Sequence, residues 1–189
     1  MEAQIMLETL LRAFWLTFPA LTANSFAVLT GGGLPIDMGR TWKDGRRILG
    51  DGKTWRGLAG GIVLATLVGM VEQVLAMSYP ADFNAAYAET YVAAFPIVLA
   101  MASAAMAGDA LGSFIKRRMG KERGESVPLM DQLLFLLIVF LCLAVLFPEF
   151  FVEHYLYPEV LIGLPVITYL LHRGSNLAAY IIGVKSVPW

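Results

Sequence analysis

Five apolar runs, at roughly residues 7–29, 55–78, 87–107, 129–148 and 156–174, leave this chain few ways to fold. Each reaches the ~20 residues that a helix needs to cross a bilayer. In hydrocarbon every backbone N–H and C=O must be bonded within the protein, so only helices and closed barrels can span. None of the runs alternates as a barrel strand does. The expectation is therefore all-α: one membrane domain over residues 1–189, an integral bundle of five transmembrane helices. A hydrophobic share of 58%, a charged share of 15% and a mean hydropathy of +0.66 exclude a soluble domain. Glu2 and Glu8 stand where a cleavable signal would carry bases, so the first run is expected to stay as a span. The single cysteine, Cys142, lies inside an apolar run, and with only His154 and His172 it cannot build a conventional zinc site.

Charge placement gives the orientation. Arg40, Lys43, Arg46, Arg47, Lys53 and Arg56 crowd the first connection, and Lys116, Arg117, Arg118, Lys121 and Arg123 the third. The tail adds Arg173 and Lys185, whereas the connections near 79–86 and 149–155 carry Asp82, Glu149 and Glu153 and no base. Basic residues favour the cytoplasmic side. Two long cytoplasmic loops, 30–54 and 108–128, follow, with the N-terminus outside, the C-terminus in the cytoplasm and the protein in the cell membrane. Arg12 is close enough to the outer end of its span to snorkel. Small residues at Gly57, Gly61, Ala65 and Gly69, and at Ala100, Ala104 and Gly108, form ladders along which helices can approach closely in lipid. Pro96 can kink the third span. Asn24, polar and deep in the first span, points to a cavity near its cytoplasmic end.

The polar stretch from Gly108 to Gln132 is where chemistry is expected. If Asp109 opens a helical extension, Asp109, Ser113, Lys116 and Arg117 share an arc of roughly 100°, and Arg118 faces the other way. A carboxylate, a hydroxyl and two cations on one stripe suit a metal-bound polyphosphate. The bases alone could serve merely as a membrane anchor; Asp109 has no such use. In the first loop, Gly50-Asp51-Gly52-Lys53-Thr54 is not a nucleotide P-loop, because Arg47 stands where that pattern needs glycine. It does place a glycine-bounded turn at a helix N-terminus, where free N–H groups favour an anion and Lys53, Thr54 and Arg56 supply donors.

Together these segments resemble a known family. Gly-Asp-Gly-Lys-Thr-Trp-Arg-Gly at 50–57 is similar to the Lys-Thr segment of CTP:phosphatidate cytidylyltransferases. Gly108-Asp109, Ser113 and Lys116-Arg117, followed by Leu129-Met130-Asp131, resemble the signature of that family. The wording from Ala23 to Gly57 and the small size resemble its archaeal branch, the CDP-archaeol synthases, more closely. Two departures stand out: only Pro128 remains of a Pro-Gly-His-Gly-Gly element, and Leu134 lies near the place of a second aspartate.

The resemblance implies a membrane cytidylyltransferase that joins the CMP moiety of CTP to an ether-lipid phosphate and releases pyrophosphate. It implies Mg²⁺ held by Asp109 and Asp131, with Lys116 and Arg117 in the catalytic set. Lys53, Thr54, Arg56, Ser113, Lys121, Arg46 and Asn24 would contact CTP or its phosphates. The partners expected are CTP, a lipid phosphate and the bilayer, with no nucleic acid and with a homodimer left open. The chemistry agrees: a phosphate monoester with a second pKa of about 6 is already a nucleophile near neutral pH, so no base is required. The runner-up readings are another CDP-lipid enzyme, such as a CDP-alcohol phosphotransferase, and a small-solute transporter. The first breaks at Asp44-Gly45-Arg46-Arg47, where its motif needs a different spacing; the second lacks charges in the middle of the spans.

Overall fold

The computed structural model describes residues 1–78, 85–122 and 124–183, so Asp82, Arg123 and Lys185 lie outside the described residues. Among the described residues six helices follow one another: α1 (Glu2–Thr30), α2 (Trp55–Ser78), α3 (Tyr91–Arg118), α4 (Met130–Leu146), α5 (Pro148–Tyr155) and α6 (Pro158–Ile181). Among the described residues there is no sheet, only two isolated bridges in the first loop, Pro35 with Thr54 and Thr41 with Arg47. Among the described residues three helices, α1, α2 and α3, are long and apolar enough to cross a membrane, and α5 with α6, which meet at an 83° bend, make a fourth if the pair is one span; α4 has 17 residues.

Several expected boundaries shift, each for a local reason. The first helix begins at Glu2 and runs through Pro19. The third starts only at Tyr91, where the Thr90 side chain accepts a hydrogen bond from the N–H of Ala93. It then continues unbroken to Arg118, so the 108–128 segment is not all loop: its first half is helix, as the stripe from Asp109 requires. Lys116, Arg117 and Arg118 occupy its last turn, where cations oppose the negative end of the helix dipole. The stretch 149–155, read as an outer loop, is the helix α5. Pro148 sits at its first turn, where its missing N–H costs nothing, and His154 and Tyr155 are buried against the bundle. The last helix runs from Pro158 to Ile181 rather than stopping near 174.

Helix α3 is the hub. It packs on α1, α2 and α4, and its buried side chains (Val98, Met101, Ala102, Ala105) are mostly small or flexible. The α2 ladder works as expected at Gly61, where an added Cβ would lie 2.9 Å from the carbonyl oxygen of Ala23 and 2.8 Å from the sulfur of Met106. Gly108 does the same between α3 and α4: a Cβ there would stand 2.5 Å from the Cα of Phe135. Gly108→Ala is therefore expected to push α4 away and lower stability by about 1–3 kcal/mol. A thermal melt in detergent would register the loss, and lipid synthesis should fall with it because both neighbouring carboxylates ride on this contact.

One buried acid was not anticipated. Glu72 lies inside α2 and accepts a hydrogen bond from the Tyr87 hydroxyl at 2.7 Å. Next to it Gln73 accepts from the Tyr87 N–H at 2.7 Å and donates to the Ala88 carbonyl at 2.6 Å. The pair pins the non-helical segment before α3 onto α2, a structural use for polar groups that a pump would otherwise employ.

Candidate active site

The first loop is folded around Asp37. Its buried carboxylate takes a bidentate grip from Arg47 (2.5 and 3.2 Å) and accepts the N–H groups of Gly39, Leu49 and Gly50 at 3.2, 2.9 and 2.8 Å. Burial pushes its pKa up, but Arg47 and the N–H groups of Gly50, Leu49 and Gly39 together outweigh this and hold it far below the usual carboxylate range. Met38 and Gly39, both with positive φ, make the turn that lets one side chain reach so many donors. At the loop's other end Ile36 donates to the Lys53 carbonyl at 2.8 Å and Trp55 to the Leu34 carbonyl at 3.2 Å. That pairing fixes Lys53 and Thr54 at the start of α2. The Thr54 hydroxyl accepts the N–H of Gly57 at 3.1 Å, so its oxygen caps the helix as well as lining the site.

Loop and helix end are locked together reciprocally. Arg46 donates to the carbonyls of Arg117 and Arg118 at 3.3 and 3.2 Å, closing the end of α3. Arg118 answers with donors to the carbonyls of Arg46 and Arg47 at 3.3 and 2.6 Å, pairs with Asp44 at 3.2 Å and lies over the Phe114 ring. Arg117 donates to the carbonyls of Leu49 and Lys121 at 3.4 and 2.6 Å. Arg118, which the helical phase turns away from the Asp109 stripe, is thus bonded to the first loop. Arg118→Ala is expected to weaken loop docking as much as Arg117→Ala does. Limited proteolysis of the first loop should show faster cleavage in both variants.

Between these parts lie the cavities. One, of about 420 Å³, is walled by Asn24 and Val28 of α1, the Gly31–Gly33 turn, Asp51 to Thr54, Gly57 of α2 and Asp109 of α3. A narrow cleft of about 20 Å³ continues from it, lined by Asn24, Asp109, Ser113, Lys116 and Asp131. Asn24 and Asp109 belong to both. The stripe of Asp109, Ser113 and Lys116 read from the sequence thus faces one cleft, and Asp131 comes to it from α4. A turn at Leu129, with φ +66°, places Asp131 in the first turn of α4, where its Oδ2 accepts the Val127 N–H at 2.9 Å.

Not every expected residue joins this cleft. Arg46, Arg117 and Lys121 line a separate concavity of about 470 Å³ on the far side of the Gly50–Asp51 turn, together with Arg47 and Glu122. Lys121 there pairs with Glu125 at 3.0 Å, an exposed pair of small energetic weight. Arg56 is exposed and packs its stem across Gly33 at the rim. Sequence reasoning missed Asp37 and Arg47; the signal was an Asp-Met-Gly turn upstream of a paired arginine, which reads equally well as a solvated loop.

The donor set at the cleft suits a hard divalent cation. Asp109 and Asp131 offer carboxylate oxygens, and the side-chain oxygen of Asn24 is buried without a hydrogen-bond partner. Among the described residues no three His, Cys, Asp or Glu side chains form a cage. That fits an ion of the Mg²⁺ kind, which takes one or two carboxylates and completes its shell with waters and substrate phosphates.

Helices that carry their acids and lysines at one end of an apolar bundle define the class: a membrane protein with a charged cleft at one end. Residues 6–189 match the family model of CarS-like CDP-archaeol synthases. The CDP-archaeol synthase of Archaeoglobus fulgidus is 46% identical over 97% of this chain and all of its own length. Those of Methanosarcina mazei (45%, over 90% of this chain and 99% of its own) and Pyrococcus furiosus (41%, over 97% and 100%) are similarly close. A solved structure described as an intramembrane enzyme for archaeal membrane lipid biosynthesis superposes with a TM-score of 0.72 at 35% identity, covering 88% of this chain and 94% of that one. The chain belongs to the CDP-archaeol synthase family.

Proposed function

We propose that this chain forms CDP-archaeol from CTP and an ether-lipid phosphate, and that it does so at the cleft between Asp109 and Asp131. The observation that carries the reading is the meeting of two carboxylates, two lysines and the unsatisfied Asn24 oxygen where α1, α3 and α4 converge. The larger cavity next to it, open toward the first loop and floored by the start of α2, is the space for the nucleotide. A phosphate oxygen of the lipid attacks the α-phosphorus of CTP; the new P–O bond forms as the bond to the β-phosphate oxygen breaks, and pyrophosphate leaves. Because the lipid phosphate is largely ionised near neutral pH, no side chain has to take a proton. His172, its ring tilted by 34° against that of Phe135 at 5.4 Å, is then not needed as a base.

What the protein supplies is alignment and charge. Lys53 and Lys116 hold phosphate oxygens, and Ser113, buried beside Lys116, offers a hydroxyl donor. Asn24 presents its oxygen to the same point, and Asp109 and Asp131 would hold Mg²⁺, which would supply positive charge against the phosphates. Arg46, Arg117 and Arg118 hold the first loop against the end of α3, and with Lys121 they give the cytoplasmic face its positive potential. Five crossings, α1 to α4 and α6, with α5 at the outer boundary, put both loops in the cytoplasm by the bias of their bases.

The test uses the purified chain in nanodiscs with lipid phosphate, a divalent cation and CTP labelled at the α-phosphate. Label is expected in the lipid fraction with one pyrophosphate released per lipid. Label that stays in the aqueous phase under every cation tried would overturn the reading, as would transfer from a CDP-lipid to a free alcohol, the reaction of the neighbouring class.

A further inference from the structure

Both carboxylates assigned to the cation are already occupied, each by an ammonium group from a different element. Lys53, at the end of the first loop, is in direct contact with Oδ2 of Asp109. Lys116, two helical turns beyond Asp109 on α3, reaches across to Asp131 Oδ1 of α4 at 2.9 Å. All four side chains keep only about a quarter of their surface exposed, 26% and 27% for Lys53 and Asp109 and 23% each for Lys116 and Asp131. As a set they are neutral.

A bare divalent ion entering this cleft must displace an ammonium or sit beside one. In a partly desolvated space the repulsion between the two cations is screened far less than in water. A nucleotide alone meets the converse obstacle, because its phosphates face two carboxylates. Together the two ligands remove each other's obstacle: the phosphates accept the ammonium groups while the released carboxylate oxygens turn to the cation. Every charge keeps a partner throughout the exchange.

Resting on the cation reading of Asp109 and Asp131, we propose that Lys53 and Lys116 are resident counter-ions. They keep a divalent cation out of the cleft until a nucleoside triphosphate is present, and then pass onto its phosphates. They are positioning residues with a second task, which is to couple cation and nucleotide binding. The coupling is reciprocal: whatever factor the nucleotide adds to cation affinity, the cation adds to nucleotide affinity.

The experiment measures binding of Mn²⁺ alone to the full-length protein in nanodiscs, from the paramagnetic resonance signal of the free ion, with no nucleotide or lipid present. Lys53→Met and Lys116→Met are each expected to bind Mn²⁺ at least tenfold more tightly than the wild type. Lys53→Arg, which keeps the cation, should stay at the wild-type value, as should Lys43→Met in the exposed part of the first loop. Adding Asp109→Asn to Lys53→Met should erase the gain. Increased binding is a result that misfolding cannot imitate, and the two methionine variants test different helix ends. Wild type that binds Mn²⁺ as tightly as both methionine variants would overturn the proposal, even with lipid labelling from CTP intact. Absence of lipid labelling in the wild type under every cation would instead remove the reaction on which the cation reading stands.

Discussion

Replacing Asp109 or Asp131 by asparagine is expected to cut transfer of label from CTP to lipid by at least about a hundredfold, the scale on which a single preorganised electrostatic contact to a reacting group acts. The substitution is close to isosteric, so packing is preserved. What changes is charge: each asparagine leaves a lysine, Lys53 or Lys116, without its carboxylate in a site that is only a quarter exposed. The fold should survive, because neither aspartate is fully buried and the α3–α4 contact at Gly108 is untouched. Elution volume and melting temperature near those of the wild type, together with collapsed kcat, are the expected pair of readings. Activity within a few-fold of the wild type in either variant would take the cation away from that residue. The Asp131 variant has an additional feature: the Val127 N–H loses a charged acceptor, so a small loss of stability belongs to it and not to the Asp109 variant.

Asp37→Ala is expected to do more damage to the loop than any other single change in it. Arg47 would lose its bidentate partner, and the N–H groups of Gly39, Leu49 and Gly50 would lose their acceptor. Removing one member of a buried ion pair costs about 3–5 kcal/mol; with Arg47 partly exposed, the lower end of that range applies. The loss is local, since the membrane helices do not depend on Asp37. Trypsin should cut the 40–50 segment rapidly, and the affinity for CTP should fall while the melting of the helical bundle changes little. The pH dependence has a definite sign. The folded-state pKa of Asp37 lies below the ordinary carboxylate value of about 3.9, so its contribution to loop stability is complete above that pH. It is lost as the pH falls toward the depressed value. Protection from an acid-tolerant protease should thus be flat from about pH 8 to 5 and decline only below about pH 4. A decline centred near pH 6 would mean that a different group holds the loop.

The parts of this protein that could be read from the sequence are those governed by a single repeating geometry. Asp109, Ser113 and Lys116 were found together because a helix returns to the same face at fixed intervals, and α3 does continue as one helix through them. The small-residue contacts at Gly61 and Gly108 follow from the same periodicity. Where a residue's job depends on backbone groups far along the chain, the sequence was silent. Asp37 is an acceptor for N–H groups 12 and 13 residues away, and no local pattern marks that. Thr54 carries two roles of which the sequence suggests only one: it lines the larger cavity, and its oxygen also caps α2. Arg117 and Arg118 are long enough that helical phase fixes where they start but not where their guanidinium groups end. The short helix α5 hid for another reason: Pro148-Glu149 and Glu153-His154 give it the polarity of a loop, while Phe150 and Tyr155 are buried on its inner face.

The brevity of α4 has a consequence for the bilayer itself. Seventeen residues rise only about 25 Å, against a hydrocarbon thickness of about 30 Å. A span that falls short either thins the surrounding lipid or draws its flanking residues inward. If α4 crosses the bilayer, with Asp131 in its first turn, either response would lower the headgroup plane toward that carboxylate and bring a lipid phosphate beside it. Turnover in vesicles of graded chain length should accordingly slow as the host membrane thickens.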